Sequence, residues 1–118
     1  MPHQAGKSKD QILVFSCSGG SDVGELSDRI ARKISRSGKG AMYCLAGVGG
    51  NVPQILATIK MTKKIVVIDG CPKRCARKSL ENYGFKTIHF CLEDMGFRKG
   101  KVNVNDRTVD FVIDHIGF

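Results

Sequence analysis

Three cysteines in this chain recur at a constant interval. Cys17, Cys44 and Cys71 are separated by 27 residues each, and Cys75 follows closely after the third. Each of the three follows a short apolar run and precedes a turn marked by glycine or proline. Successive strand-helix units of that length would bring several thiols to one edge of a sheet. Because thiolates are metal ligands, a metal ion is the first candidate for what these sulfurs hold.

The segment Asp69–Lys78 (DGCPKRCARK) has the densest group of chemically active side chains. Proline is common at the first position of a helix, so Pro72 predicts a helix with Cys71 as its N-cap. Cys75 would then lie four residues further on, and the two sulfurs could approach the same point. The free backbone N–H groups of a helix N-terminus stabilise thiolate, the form that binds metal. The sequence therefore predicts a pair of ligands in this segment.

Positive charge crowds the same predicted helix. Cations in its first two turns oppose the helix dipole by a few tenths of a kcal/mol each, so an anionic centre should lie nearby. Zinc held by four thiolates carries a formal charge of about minus two and would meet that need. The alternatives are a bound phosphate, which would use the same features, or simple exposure of long side chains to solvent. The residues predicted to support the site are Asp69, which would orient the turn or the helix start, and Gly70, Lys73, Arg74 and Arg77.

Apolar runs and helical periodicity predict the elements that position these residues. The predicted strands are residues 11–16, 41–45, 64–69 and 86–92, and loops are predicted for 46–51 and 93–105, the latter with a short strand at 102–104. The first helix would bury Leu26, Ile30 and Ile34, and later helices would begin near Pro53, at Cys71 (ending at Tyr83) and near Asp106.

Strands that alternate with helices predict a small α/β three-layer, doubly wound sandwich of the Rossmann or flavodoxin-like type, with about four mostly parallel strands. We expect a flexible tail at residues 1–10 and a single metal-binding domain at 11–118. In such folds ligands bind outside the carboxyl ends of the strands, near the point where the strand order reverses. Cys17, Cys44, Cys71 and Cys91 are all predicted at or near those ends.

Composition limits the classes of function. No apolar run approaches the roughly 20 residues of a membrane span, and the polar N-terminus lacks the apolar core of a secretory signal, so a cytoplasmic location is expected. An odd count of five cysteines in that reducing compartment argues against a disulfide framework. The net charge of +8 leaves nucleic acid open as a partner, and an acidic or protein partner is also possible. The absence of tryptophan and of any recognisable nucleic-acid module disfavours nucleic acid.

Two stretches of the chain resemble the DGC family. They are CLAGVGG at 44–50 and VIDGCPKRCARKSLE at 67–81, and the family is named for the tripeptide Asp69-Gly70-Cys71. The resemblance covers nearly the whole chain. It implies zinc binding through four cysteines, which match Cys17, Cys44, Cys71 and Cys75 here, and it supplies no reaction. Cys91 is additional, as a spare thiol, a further ligand or an ordinary buried cysteine.

The spacing differs from the CxxC pairs of zinc ribbons and fingers, so a zinc site here would be assembled by the fold. Four thiol ligands would leave no coordination position for water, which argues against hydrolytic zinc chemistry. The second class of function uses the same cysteines for thiol redox chemistry or for an iron-sulfur cluster in electron transfer. His89, a single histidine on a strand, is interpreted as structural.

Known catalytic and nucleotide-binding motifs fit poorly, and no catalytic constellation is identified. Val23 occupies the position where the CxxxxxR loop of a phosphatase needs arginine. No Walker-type lysine follows Gly19 and Gly20, and Val52 replaces the third glycine of a dinucleotide fingerprint that begins at Gly47.

Overall fold

The sheet contains four parallel strands in the order β2-β1-β3-β4. The structure is a computed structural model and describes residues 11–118, so the predicted tail at 1–10 lies outside the described residues. The strands are β1 (Ile12–Ser16), β2 (Ala41–Met42), β3 (Lys64–Asp69) and β4 (Ile88–Cys91). The helices are α1 (Asp22–Arg36), α2 (Leu45–Gly49), α3 (Pro53–Lys60), α4 (Cys75–Glu81) and α5 (Asp106–Ile116), with a 3₁₀ turn at Leu92–Met95.

Both faces of the sheet are covered by helices, which confirms the predicted α/β sandwich. Val14, Val66 and Ile68 pack against α1 and α5 on one face. Leu13, Phe15 and Val67 alternate with them along the strands and pack against α2, α3 and α4 on the other face. Because successive side chains of a strand point to opposite faces, the continuous apolar runs of β1 and β3 supply both core layers.

The strand order reverses between β1 and β3. From β1 the chain crosses through α1 to β2 at one edge, and from β3 it crosses through α4 to β4 at the other edge. The two central strands, β1 and β3, are aligned so that Ser16 lies opposite Ile68. A crevice therefore opens outside the carboxyl ends of β1 and β3, where ligands bind in folds of this type.

The second strand is shorter than predicted. The predicted strand 41–45 is wrong beyond Met42, and the predicted loop that follows it contains the short helix α2. Glycines made this segment look like a loop, but Gly47 lets α2 approach α3 closely. A Cβ atom at Gly47 would lie 2.3 Å from Cδ1 of Ile55, so a larger residue would require the Ile55 side chain to move.

The fourth helix begins later than predicted, so the prediction of Cys71 as its N-cap is wrong. The helix spans Cys75–Glu81 rather than 71–83. The carboxylate of Asp69 accepts from the backbone N–H groups of Ala76 (2.9 Å) and Arg77 (3.1 Å), and so satisfies the helix start from the end of β3. Arg74 precedes the helix in the left-handed conformation (φ 56°, ψ 45°), which separates the turn containing Pro72 from the helix.

The segment before α5 has no strand at 102–104 within residues 11–118, in contrast to the prediction. Its backbone is held by a side chain: the Asp22 carboxylate accepts from Gly100 N–H (2.9 Å) and Val102 N–H (3.0 Å). β4 is also shorter than the predicted 86–92, whereas β3, α3 and α5 begin where predicted. Across residues 11–118, each helix is too short or too polar to cross a membrane.

Candidate metal centre at the carboxyl edge of the sheet

All five cysteines lie at the carboxyl edge of the sheet, which confirms the prediction that the strand-helix units collect thiols there. All four strand ends contribute, because the chain leaves every parallel strand at the same edge. None of the five forms a disulfide. Cys17 directly follows β1, Cys44 is the N-cap of α2, Cys71 lies two residues after β3, Cys75 is the first residue of α4 and Cys91 is the last residue of β4.

Three of the four predicted ligands line one cavity. Cys17, Cys71 and Cys75 border a space of about 200 Å³ together with the glycine loop at 19–20 that follows β1. This space lies between the ends of β1 and β3, at the point where the strand order reverses. We call it the thiol pocket. Lys73, Arg74 and Lys99 also line it, so its surroundings are basic.

Cys17 is held in place by the surrounding backbone. Its Sγ atom accepts from Gly70 N–H over 3.4 Å and lies 3.3 Å from the Ser27 hydroxyl. Its own N–H donates to the Ile68 carbonyl over 3.1 Å. A Cβ atom at residue 70 would lie 2.7 Å from the backbone carbon of Val23, so this contact with the sulfur requires glycine. Gly70 is therefore a direct neighbour of a predicted ligand.

Asp69 and His89 form a buried pair beneath the turn that contains Cys71 and Cys75. The Asp69 side chain is 1% exposed and that of His89 is 9% exposed, and His89 Nε2 donates to Asp69 Oδ2 over 2.8 Å. Asp69 therefore accepts three hydrogen bonds, two of them from the start of α4. This geometry agrees with the interpretation that Asp69 orients the helix start.

Arg74 extends this network to the surface. One guanidinium nitrogen lies 3.3 Å from His89 Nδ1 and another lies 3.4 Å from Asp94 Oδ2. The contacts match the tautomer in which His89 carries its proton on Nε2 and accepts at Nδ1. A left-handed conformation is uncommon for a residue with a side chain, and such strain is concentrated at functional sites. Arg74 thus holds the turn between Cys71 and Cys75 in an unusual conformation.

Sequence reasoning missed the connection between His89 and Asp69, although a signal existed in the strand pattern. Val67 lies opposite His89 in the parallel pairing of β3 with β4. Asp69 is two residues after Val67, so Asp69 and His89 face the same side of the sheet. The register that places them together cannot be read from either strand by itself. Cys91 lies opposite Asp69 and is only 3% exposed.

Cys44 is exposed and lies on the other side of the β1 end from Cys71. It shares with Cys17 a separate groove of about 910 Å³. Within residues 11–118, the present side-chain positions bring no three His, Cys, Asp or Glu groups together closely enough to hold a metal ion. The four predicted ligands therefore share one edge, and three of them share one pocket, but they do not converge on one point.

The predicted basic residues are partly paired with carboxylates. Arg77 Nε lies 2.8 Å from Glu81 Oε2, and Arg74 contacts Asp94. Because α4 begins at Cys75, Lys73 and Arg74 precede the helix and do not occupy its first turns. Lys73 is exposed and has no ion pair within the described part of the chain. Its positive charge at the thiol pocket is therefore free to face an anion.

Comparison with known proteins gives two matches. The DGC domain family matches residues 13–116 of this chain. A protein named the anaerobic and virulence modulator AnvM, from Pseudomonas aeruginosa, is 35% identical over 88 residues, which cover 74% of this chain and 67% of that protein. No solved structure matches the chain.

Proposed function

Because the chain belongs to the DGC domain family, we propose that it is a metal-binding protein that holds zinc through cysteine sulfurs at the carboxyl edge of its sheet. The observation that supports this most directly is the shared pocket of Cys17, Cys71 and Cys75. These three sulfurs come from the ends of both central strands, so a common ligand there would join β1, β3 and α4.

The chemistry of the available donors fits a thiophilic ion. Sulfur ligands favour zinc and iron-sulfur clusters, whereas magnesium and calcium prefer oxygen ligands. Asp69 also borders the pocket, but its carboxylate is already occupied by two backbone N–H groups and His89. The sulfurs of Cys17, Cys71 and Cys75 are therefore the donors left for a metal, and the exposed Cys44 would be the fourth.

Zinc binding would require the cysteine side chains to lie closer together than they do in this structure. Cys17 is the middle sulfur, since it borders both the thiol pocket and the groove of Cys44. Zinc held by four thiolates would act as a structural clamp without a position for water. The positive charges of Lys73 and Lys99 would offset the negative charge of such a centre.

Thiol redox chemistry is the second candidate. Cys75 is exposed, its thiol is free, and Cys71 lies across a single turn from it, closed by a 3.1 Å bond from Arg74 N–H to the Cys71 carbonyl. The two thiols would lose two electrons and two protons to a disulfide-bearing partner, whose S–S bond would be reduced to two thiols. An iron-sulfur cluster on the same cysteines would serve electron transfer instead.

The test is metal analysis combined with thiol counting on anaerobically purified protein. We expect about one zinc per chain, with Cys17, Cys44, Cys71 and Cys75 protected from alkylation until a chelator is added. Cys75→Ser should lose the zinc. Cys91→Ser is the matched control and should retain it, because Cys91 lies buried in β4 away from the pocket lining.

Each other outcome selects a different function. Iron with visible absorption would indicate a cluster. Absence of metal, together with a Cys71–Cys75 disulfide after mild oxidation, would indicate redox chemistry. Absence of bound zinc after incubation with the metal, with Cys44 and Cys75 alkylated as fast as before, would overturn the zinc proposal.

A further inference from the structure

A second cavity, distinct from the thiol pocket, lies between α1, β2 and α2. It has a volume of about 910 Å³, large enough for a small organic molecule. We call it the arginine groove, because Arg32 and Arg36 line one side of it. Neither the family match nor the proposed zinc site requires a cavity of this size at this position.

The two sides of the arginine groove differ in chemistry. Met42, Tyr43 and Leu45 form an apolar wall, and the Tyr43 ring is held edge-on against Phe15 at a centroid distance of 6.2 Å. Arg32 and Arg36 lie one helical turn apart on α1 and project cationic groups along the other side. A ligand that satisfied both sides would need an apolar body and a negative group.

The positive charge of the groove is incompletely neutralised. Asp28 also lines it, but one carboxylate oxygen accepts from Arg32 Nε (2.7 Å) and the other accepts from the Ser18 hydroxyl (2.8 Å). The bond to Nε leaves the terminal amino groups of the Arg32 guanidinium free to bind. Arg36 has no ion pair within residues 11–118. Guanidinium groups bind carboxylate and phosphate with two parallel hydrogen bonds.

We propose that the arginine groove binds a small amphiphilic organic anion, whose carboxylate or phosphate group contacts Arg32 and Arg36 and whose apolar body lies against Met42, Tyr43 and Leu45. Because Cys17 and Cys44 also line the groove, a bound anion would cover the approach to these two thiols. Cys17 also lines the thiol pocket, so a ligand in the arginine groove would reach one sulfur of that pocket from its other side.

The experiment uses three naphthalene probes on the full chain, as purified and with its thiols reduced: naphthyl phosphate, naphthoate and the uncharged naphthol. Amide chemical shifts of Met42, Tyr43 and Leu45 report binding. We expect both anions to bind at least about tenfold more tightly than naphthol, which corresponds to one charge-assisted contact. The tighter of the two anions identifies phosphate or carboxylate as the preferred group.

Variants locate the anion. Arg36→Gln should weaken binding about tenfold, whereas Arg29→Gln should leave it within about twofold, because Arg29 lies on the same helix but does not line the groove. Arg29 instead lines, together with Arg36, a smaller basic cavity between α1 and α5, so equal losses in the two variants would place the anion there. In protein treated with chelator and reductant, so that no metal protects the thiols, bound naphthyl phosphate should also slow alkylation of Cys44 and leave that of Cys75 unchanged.

Three results would overturn the proposal: equal affinity for naphthol and the anions, equal losses in Arg29→Gln and Arg36→Gln, or alkylation of Cys44 that is insensitive to the probe. Metal content of the same preparation is measured separately. Absence of zinc would therefore not contradict the arginine-groove proposal, and absence of anion binding would not contradict the zinc proposal.

Discussion

His89 Nε2 donates to Asp69 Oδ2 over 2.8 Å, and this bond joins the edge strand β4 to the residue that caps α4. Asp69 in turn fixes the end of the turn in which Cys71 and Cys75 lie. The positions of two predicted metal ligands thus depend on a buried pair that contributes no atom to the proposed coordination. Such a pair acts as support, in the way that groups behind metal ligands commonly orient them.

Replacement of Asp69 by alanine should destabilise the fold by about 3 kcal/mol, because it leaves two backbone N–H groups and a buried imidazole without their acceptor. Urea denaturation measures the loss. Asp114→Ala on the exposed face of α5 is the control and should change stability by less than about 0.5 kcal/mol. A loss at Asp69 no larger than at Asp114 would show that the pair does not support the turn.

Replacement of Gly70 by alanine should cost about 2 kcal/mol, because the added methyl would lie 2.7 Å from the backbone of Val23. To relieve this clash the backbone should move, which would take the N–H of residue 70 away from Cys17 Sγ and speed alkylation of Cys17. Gly49→Ala, where the added methyl meets no atom within 4 Å, should change stability by at most about 1 kcal/mol. Equal unfolding midpoints for the two variants would contradict the close approach at Gly70.

The variant with glycine at position 74 should be more stable than the variant with alanine there. Both variants lose the guanidinium contacts, but only glycine adopts φ 56° without strain. The free energy of unfolding of Arg74→Gly should therefore exceed that of Arg74→Ala by about 1 kcal/mol. The order should invert at Arg32, inside α1, where glycine should be less stable than alanine by about 1 kcal/mol. Comparison of the four unfolding midpoints tests both orders. The same order at both positions would argue against a left-handed Arg74.

Asp22 should make stability depend on pH in the acid range. Hydrogen bonds from Gly100 and Val102 N–H hold the pKa of Asp22 below its ordinary value of 3.8. A lowered pKa in the folded state means that this stabilisation is fully present above the pKa of the unfolded chain and is lost as the pH falls through the folded value. Asp22→Asn should therefore be less stable than the natural protein at pH 7.

The difference between the two proteins should shrink as the pH falls below about 4. Hydrogen exchange at Gly100 and Val102 should accelerate in Asp22→Asn at pH 7, since their amide groups lose a charged acceptor. A stability difference that stays constant down to pH 2, or unchanged exchange at both amides, would contradict this role of Asp22.

The sequence predicted the fold well where one residue pattern decided the structure. The run KIVVID predicted β3 to the residue, because a continuous apolar stretch bounded by turn residues has few alternatives. The prediction from sequence failed where a group outside the local pattern determined where an element begins. Pro72 is an ordinary signal for a helix start, but the carboxylate of Asp69 reaches the N–H groups of residues 76 and 77 and places the start at Cys75.

The candidate site was predictable to a similar extent. The interval between the cysteines predicted which edge of the sheet they share, because one strand-helix unit returns the chain to the same edge. It did not predict that Cys44 faces a groove separate from that of Cys71, since this division depends on the strand order around β1. Nor did it predict the arginine groove, which requires α1, β2 and α2 to be assembled.

All four strands run in the same direction, and this has a practical consequence for work with the protein. The turns at the amino end of the sheet, at residues 37–40 and 61–63, contain no cysteine and line neither the thiol pocket nor the arginine groove. Exposed turns with polar or small residues tolerate insertions best. A fluorophore, an affinity handle or a surface tether is therefore best attached at the amino end of the sheet. The exposed cysteines at the carboxyl end then remain accessible to solvent.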